Sequence, residues 1–173
     1  MAIFKETLHL YSDEGITSYI DITEKIKEIV KRSNITNGLV SVISPHTTCA
    51  VFYEEFSHDI DENGLDFLQL DLNNGLEKIF PKHTSASTYN YPGEEHYRAV
   101  ESWGNIDEYL PNGDRRYLWN GDAHLKATLI GSSETFDITN EEITLGSTGY
   151  IYFVDFDITR PRERKCLITV FGE

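Results

Sequence analysis

Apolar and polar positions alternate with a period of two near both ends of the chain and recur at helical spacing in three stretches between. Phe4, Glu6, Leu8 and Leu10 oppose Lys5, Thr7 and His9, which predicts a half-buried strand; residues 18–21 predict a second, after the Asp13-Glu14-Gly15 turn. Asp21 followed three residues later by Glu24 reads as a capped helix start, with Ile22, Ile26, Ile29 and Val30 as the apolar face and Lys31 and Arg32 at the closing end. Residues 39–43 form a strand. Residues 57–80 carry Leu65, Leu68, Leu72, Leu76 and Ile79 at spacings of 3, 4, 4 and 3, which predicts helix, in two pieces if Asn73-Asn74-Gly75 breaks it. The acids Asp59, Asp61, Glu62, Asp66 and Asp71 are expected on its solvated face. Residues 135–139, 150–156 and 166–171 are strands, the last two placed to pair as a long hairpin.

Three segments add chemistry to this pattern. After residues 39–43, Pro45 cannot donate to a ladder and marks a strand break or an edge. If residues 46–54 are extended, His46, Thr48, Ala50, Phe52 and Glu54 share one side, while Thr47, Cys49, Val51 and Tyr53 share the other. This parity argues against a Cys49/His46 nucleophilic pair and leaves the His46 imidazole for a metal, a proton or an anion; a histidine satisfied by a backbone carbonyl is the structural alternative. In residues 122–131, Asp122 is placed to cap a helix, Leu125, Leu129 and Ile130 give its apolar face, and Gly131 ends it. His124 then lies in the first turn, where the helix dipole lowers its pKa and free N–H groups favour an anion. Third, Arg160-Pro161-Arg162-Glu163-Arg164-Lys165 holds four bases and one acid, suited to phosphate through arginine's fork or, more plainly, to balancing charge in a solvated loop.

Composition narrows the classes. The 173 residues suffice for one sizeable core, and no apolar run approaches a membrane span. No secretory leader is visible at the N-terminus, so the cytoplasm is expected. Cys49 and Cys166 lie in apolar stretches at a separation matching neither a zinc nor a redox spacing, and are expected as buried thiols. With 29 acids against 15 bases, the net charge of −14 argues against nucleic acid as a partner. A small phosphorylated ligand remains compatible, because a few arginines or a metal reverse the potential inside one cleft. From residue 81 to 118 the periodicity dissolves; a stretch of that length inside a compact domain reads as a lid or binding loop, here holding His83, His96, Arg98, Arg115, Arg116 and Trp103.

His46-Thr47-Thr48, the Asp122-Ala123-His124-Leu125 helix start ending in Gly131-Ser132, and the late Pro161-Arg162-Glu163-Arg164 before a closing strand together resemble the YjbQ family, also called the secondary thiamine-phosphate synthase family. The resemblance implies a single α+β domain spanning 1–173, mainly antiparallel sheet or sandwich with two to three helices, carrying a long loop insertion at about 81–119 and assembled as a homotrimer. It implies a metal site of His46, His96 and His124, with His83 competing for the place of His96. Three neutral imidazoles suit a divalent metal, zinc or magnesium. The implied reaction joins hydroxymethylpyrimidine diphosphate to thiazole phosphate and releases pyrophosphate. In that scheme Arg162, Arg164 and Ser132 hold phosphate, Thr47, Thr48 and Asp122 position the leaving group, and Glu55 is a further catalytic candidate.

The sequence departs from the family where Gly146-Ser147-Thr148-Gly149 replaces a glycine-threonine-tryptophan-glutamine signature, and in the length of the loop before His124, where Trp103 or Trp119 is available to replace the lost aromatic. Eight or nine residues of strand span about 26–30 Å, so Glu54 and Glu55 reach a site at His46 only through a bend or a neighbouring subunit. A metal-dependent hydrolase of a phosphorylated small molecule and a non-catalytic ligand-binding or assembly protein are the alternative readings.

Overall fold

The computed structural model describes all of residues 1–173. Eight strands form two antiparallel sheets. The larger has the order β1 (Ala2–Ser12), β8 (Arg162–Gly172), β3 (Asn37–Ile43), β5 (Ser133–Thr139), β6 (Glu142–Ile143); the smaller has β2 (Ser18–Asp21), β7 (Gly149–Asp155), β4 (Cys49–Glu55). Between them lies a core of 17 buried residues, to which β3 gives Val40 and Val42, β8 gives Cys166, Ile168 and Val170, and β7 gives Ile151 and Phe153. Helix α1 (Thr23–Ser33) closes this core with Ile26, Ile29 and Val30. The capped start expected of Asp21 and Glu24 does not form: Ile22 takes the N-cap position without a side-chain cap, Asp21 Oδ1 only accepts from the Thr23 N–H at 2.9 Å, and Glu24 turns to Lys27; left-handed Asn34 ends the helix.

The expected hairpin of residues 150–156 with 166–171 does not form. β8 is flanked on both edges, by β1 and β3, so no edge is left for β7, which pairs with β2 and β4. The chain changes sheet at most of its connections, and two of these crossings concern the site: the segment before β8, and residues 44–48, between β3 and β4. The strand expected from His46 therefore begins only at Cys49: the Cys49 N–H bonds back to the His46 carbonyl at 3.2 Å, closing a turn at Thr47-Thr48. From Cys49 onward the alternation holds, Cys49 and Val51 facing the main core and Ala50 and Phe52 the opposite side.

There are four α-helices rather than two or three. α2 (Phe67–Ile79) runs unbroken through Asn73-Asn74-Gly75. Asp66 is not on a solvated face: it is buried and caps α2, accepting from the Leu68 N–H while Gln69 reaches back to the Asp66 N–H. The unforeseen helix, α3 (Glu94–Glu101), lies in the irregular stretch, which also contains three short 3-10 turns and a small core of Tyr97, Val100, Leu110 and Leu118. On α4 (Gly121–Ile130), Leu125 and Leu129 are exposed and Ala123 and Ala127 face inward, because the helix lies against Ala50 of β4.

Gly38 and Gly172 sit opposite each other where β3 and β8 pair, and a Cβ on Gly38 would meet the Phe171 carbonyl and the Gly172 Cα. We expect Gly38→Ala to lower the unfolding free energy by about 1–3 kcal/mol. Gly75→Ala, in α2 where a Cβ meets nothing, should raise it by about 0.5–1 kcal/mol. Urea denaturation of the two variants checks both signs.

Candidate functional site

The two crossings place their connecting segments side by side, with the first turn of α4 and the 81–119 segment against them. They enclose a cavity of about 440 Å³ lined by His46, Thr47 and Thr48 from one crossing, Asp157, Arg160, Arg162 and Arg164 from the other, Asn120 and His124 from α4 and its approach, and Tyr91, His96, Trp103 and Tyr109 from the loop.

Asp155, 1% exposed at the end of β7, organises the cavity floor. It accepts from Arg164 Nε at 2.6 Å and Nη2 at 3.1 Å, from Ser12 Oγ at 2.7 Å and from the Asp157 N–H at 3.0 Å. Arg164 Nη2 also donates to Thr48 Oγ1 at 3.1 Å. Asp157 accepts from Arg162 Nη2 at 2.6 Å, Asn120 Nδ2 at 2.8 Å and the Thr159 hydroxyl at 2.5 Å. Burial works against its charge, but the Arg162 guanidinium and these bonds hold its pKa below the usual carboxylate value. Arg160 has no carboxylate partner; its Nη1 donates to the carbonyls of Tyr109, at 3.0 Å, and Tyr117, at 3.5 Å. Burial, then the charge of Arg162, brings its pKa down to about 10. Three guanidinium groups thus face two buried carboxylates, and one positive charge is left over. Arg162 Nε is buried without a partner, a donor available to a ligand.

His46 is fixed by the break in the ladder: its Nε2 accepts the Lys165 backbone N–H at 2.8 Å. An amide N–H can only donate, so Nε2 is unprotonated and Nδ1–H is what the neutral ring offers a ligand. His96 Nε2 lies 3.2 Å from the Tyr91 hydroxyl, and the Tyr91 ring packs against both His96 and His124, at centroid separations of 5.0 and 5.2 Å. The three histidines line one cavity without forming a metal centre: no three His, Cys, Asp or Glu side chains are gathered at ligand spacing, and metal at Nδ1 of His46 would forfeit the bond from Lys165. The donor set fits an anion, not a three-histidine metal site.

Other predicted residues lie elsewhere. Glu55 is exposed at the far end of β4, opposite Gly149. Asp122 is buried against Lys126, 2.9 Å away, and Asn120 takes the capping position expected of it; a carboxylate and an ammonium four residues apart on a helix face each other. Ser132 is exposed after α4, its carbonyl accepting from the Ser44 N–H at 2.8 Å. His83 is structural: its Nδ1 accepts from the Gly121 N–H at 3.1 Å and its ring stacks on Trp119 at 5.9 Å. Of the two tryptophans Trp103 lines the cavity. Thr48 is occupied by Arg164 and Asp155, whereas Thr47 is exposed at the cavity. Cys49 and Cys166 are buried free thiols; burial pushes Cys166 up to about 12, beyond use as a nucleophile. Asp157, Asn120 and Tyr91 are the site residues that motif reasoning passed over, and Arg160 was noticed only as part of the basic run.

Burial lowers the pKa of His46, His83 and His124; Arg164 adds to the effect at His46, while Asp122 opposes it at His83 and Asp157 at His124. The unfolded chain, with ordinary histidines near pKa about 6.5, therefore binds more protons than the folded one below that pH. Stability should be full above about pH 7 and fall as pH drops toward 5. His83→Asn, which keeps an acceptor for Gly121, should flatten part of that fall in urea midpoints measured across this range.

The model of the family described as UPF0047 protein YjbQ-like matches residues 7–173. This chain belongs to the YjbQ family. A UPF0047 protein of Methanothermobacter thermautotrophicus is 27% identical over 173 residues, covering 100% of this chain and 95% of that one. Another from Archaeoglobus fulgidus is 30% identical over 149 residues, covering 86% and 87%. Among solved structures, a YjbQ/UPF0047 protein of Clostridium acetobutylicum is similar with a TM-score of 0.63 at 26% identity, over 95% of this chain and 99% of that chain. A YbjQ-like protein of unknown function from Sulfolobus solfataricus shares the fold, with a TM-score of 0.64 at 22% identity over 99% and 100%.

Proposed function

We propose that this YjbQ-family protein is an enzyme acting on a small phosphorylated substrate, with thiamine-phosphate synthase chemistry as the leading reaction: hydroxymethylpyrimidine diphosphate is joined to thiazole phosphate and pyrophosphate departs. The observation that carries the reading is the cationic cavity itself, with Arg160 lacking a carboxylate partner and Arg162 Nε lacking any, in a chain of net charge −14. As the carbon–oxygen bond to the diphosphate breaks, negative charge grows on the leaving oxygens. Arg160, Arg162 Nε and His46 Nδ1–H are donors already fixed in place to receive it. Arg164 and Thr48 hold that constellation through Asp155, and Tyr91, Trp103 and Tyr109 offer ring faces to a planar heterocycle. No step here passes through a metal.

A neutral His124 beside the anion also suits hydrolysis, as a base toward water. Incubating purified protein with the pyrimidine diphosphate and thiazole phosphate separates the two. Thiamine phosphate formed by the wild type and lost in an Arg160→Ala/Arg162→Gln variant supports the synthase reading. Release of phosphate alone sinks it and leaves the hydrolase.

Assembly as a homotrimer belongs to the same proposal. Exposed Ile3, Leu39, Ile43 and Leu167 cluster by register on the outer face of the larger sheet, a surface that self-association would cover. Light scattering checks the mass. Two buried free thiols suit the cytoplasm, the compartment we propose.

A further inference from the structure

A second cavity, of about 250 Å³, has the opposite electrostatic character. Tyr150 and Tyr152 are two residues apart on β7 and so share the face of the smaller sheet turned away from the main core; Asp21 stands opposite Tyr152, and Glu54 opposite Tyr150. The start of α2 approaches that face with Asp66 and Gln69. The lining therefore combines four aromatic rings, Tyr19, Phe56, Tyr150 and Tyr152, with the carboxylates Asp21 and Asp66, and contains no lysine or arginine.

Two polar groups here are left without partners. The Tyr152 side chain lines the cavity and its hydroxyl makes no hydrogen bond within the protein, whereas that of Tyr19 is donated to Asn73 at 3.0 Å. Glu54 Oε2 is buried and likewise unpartnered. Burial and the charge of Asp66 raise the Glu54 pKa, while burial and then Asp21, Asp66 and Glu54 raise that of Tyr152, so the acids leave the region negative although Asp66 accepts from Ser57 and Leu68 and Asp21 from the Thr23 N–H. A hydrated metal ion gains little from aromatic walls. An alkylated ammonium gains from both features: its methyl groups rest on the ring faces, and its diffuse charge is drawn to the ring quadrupoles and the carboxylates.

We propose that this cavity binds a small alkylated ammonium cation, at a site separate from the arginine-lined one. The test is calorimetric titration of the full chain with choline and with 3,3-dimethylbutan-1-ol, its uncharged counterpart of the same shape. Choline should bind saturably and at least about tenfold more tightly than the alcohol, and pyrophosphate should not displace it. Tyr150→Leu should weaken choline by about tenfold. Asp21→Asn, which keeps the side-chain oxygen that accepts from the Thr23 N–H, should weaken it by about threefold and carries the test should Tyr150→Leu fail to fold. No saturable binding of choline, equal binding of the alcohol, or wild-type affinity in the folded variants overturns the proposal.

Discussion

Arg164→Ala should lower the free energy of unfolding by about 3–5 kcal/mol, the largest loss we expect from any single change at the cavity. Arg164 is 7% exposed, and its guanidinium meets Asp155, itself 1% exposed, through two nitrogens. Each charge was taken out of water at a cost that only the other offsets. Removing the cation leaves a buried carboxylate whose remaining partners, Ser12, Thr48 and the Asp157 N–H, are neutral donors. Those bonds join β1, both crossings and β7, so the damage should reach the whole sandwich. Asp155→Asn in the Arg164→Ala background should recover part of the loss by removing the stranded charge. Urea denaturation of the two single variants and the double variant measures the coupling. A loss under about 1 kcal/mol for Arg164→Ala would mean that the pair is hydrated and that the cavity floor is not rigid.

Arg160→Ala should behave in the opposite way, with stability nearly kept and anion affinity lost. The side chain gives up bonds to the Tyr109 and Tyr117 carbonyls, at a net cost of about 1 kcal/mol each where water replaces them, and distant cation–π contacts with the same two rings at 5.9 and 6.0 Å. Its charge, however, is the one that no carboxylate balances, and charge-assisted bonds to phosphate oxygens contribute about 1.5–3 kcal/mol. Pyrophosphate binding should therefore weaken by roughly 10- to 100-fold while the urea midpoint moves little. Arg160→Lys should restore the salt dependence of binding more fully than the affinity, because an ammonium keeps the charge but not the fork. Calorimetry at two ionic strengths reads both effects.

The contrast between these arginines shows how far the sequence could be read. A run of bases in an acidic chain pointed to an anion site, and its residues do line the cavity. Which of them is paired with a buried acid depends on Asp155 and Asp157, which close an apolar strand and look like its polar boundary until the other sheet's turn packs over them. His46 and His124 were legible because each lies beside the start of an element, in the turn before β4 and the first turn of α4, where side chains project past the backbone; the neutral His46 tautomer follows only from the Lys165 N–H, 119 positions away in sequence. Asp122 misled for a local reason, since Lys126 one turn along takes it and the small face of α4 turns both inward. Period-two alternation specified β1, and β8 was expected only from residue 166, its first four residues reading as a charged loop; but every strand-to-strand connection except that of β5 to β6 changes sheet, a matter of edge occupancy that no local pattern encodes. The 81–119 stretch lacked periodicity because its helix and turns are too short to show one.

The most direct test of the account is titration of pyrophosphate into protein stripped of divalent metal and held in chelator. Saturable binding of one anion per chain, weakened by Arg160→Ala, is the predicted result. Absence of binding under chelation, restored by adding zinc or magnesium, would contradict it, and would return the three histidines to the role of metal ligands.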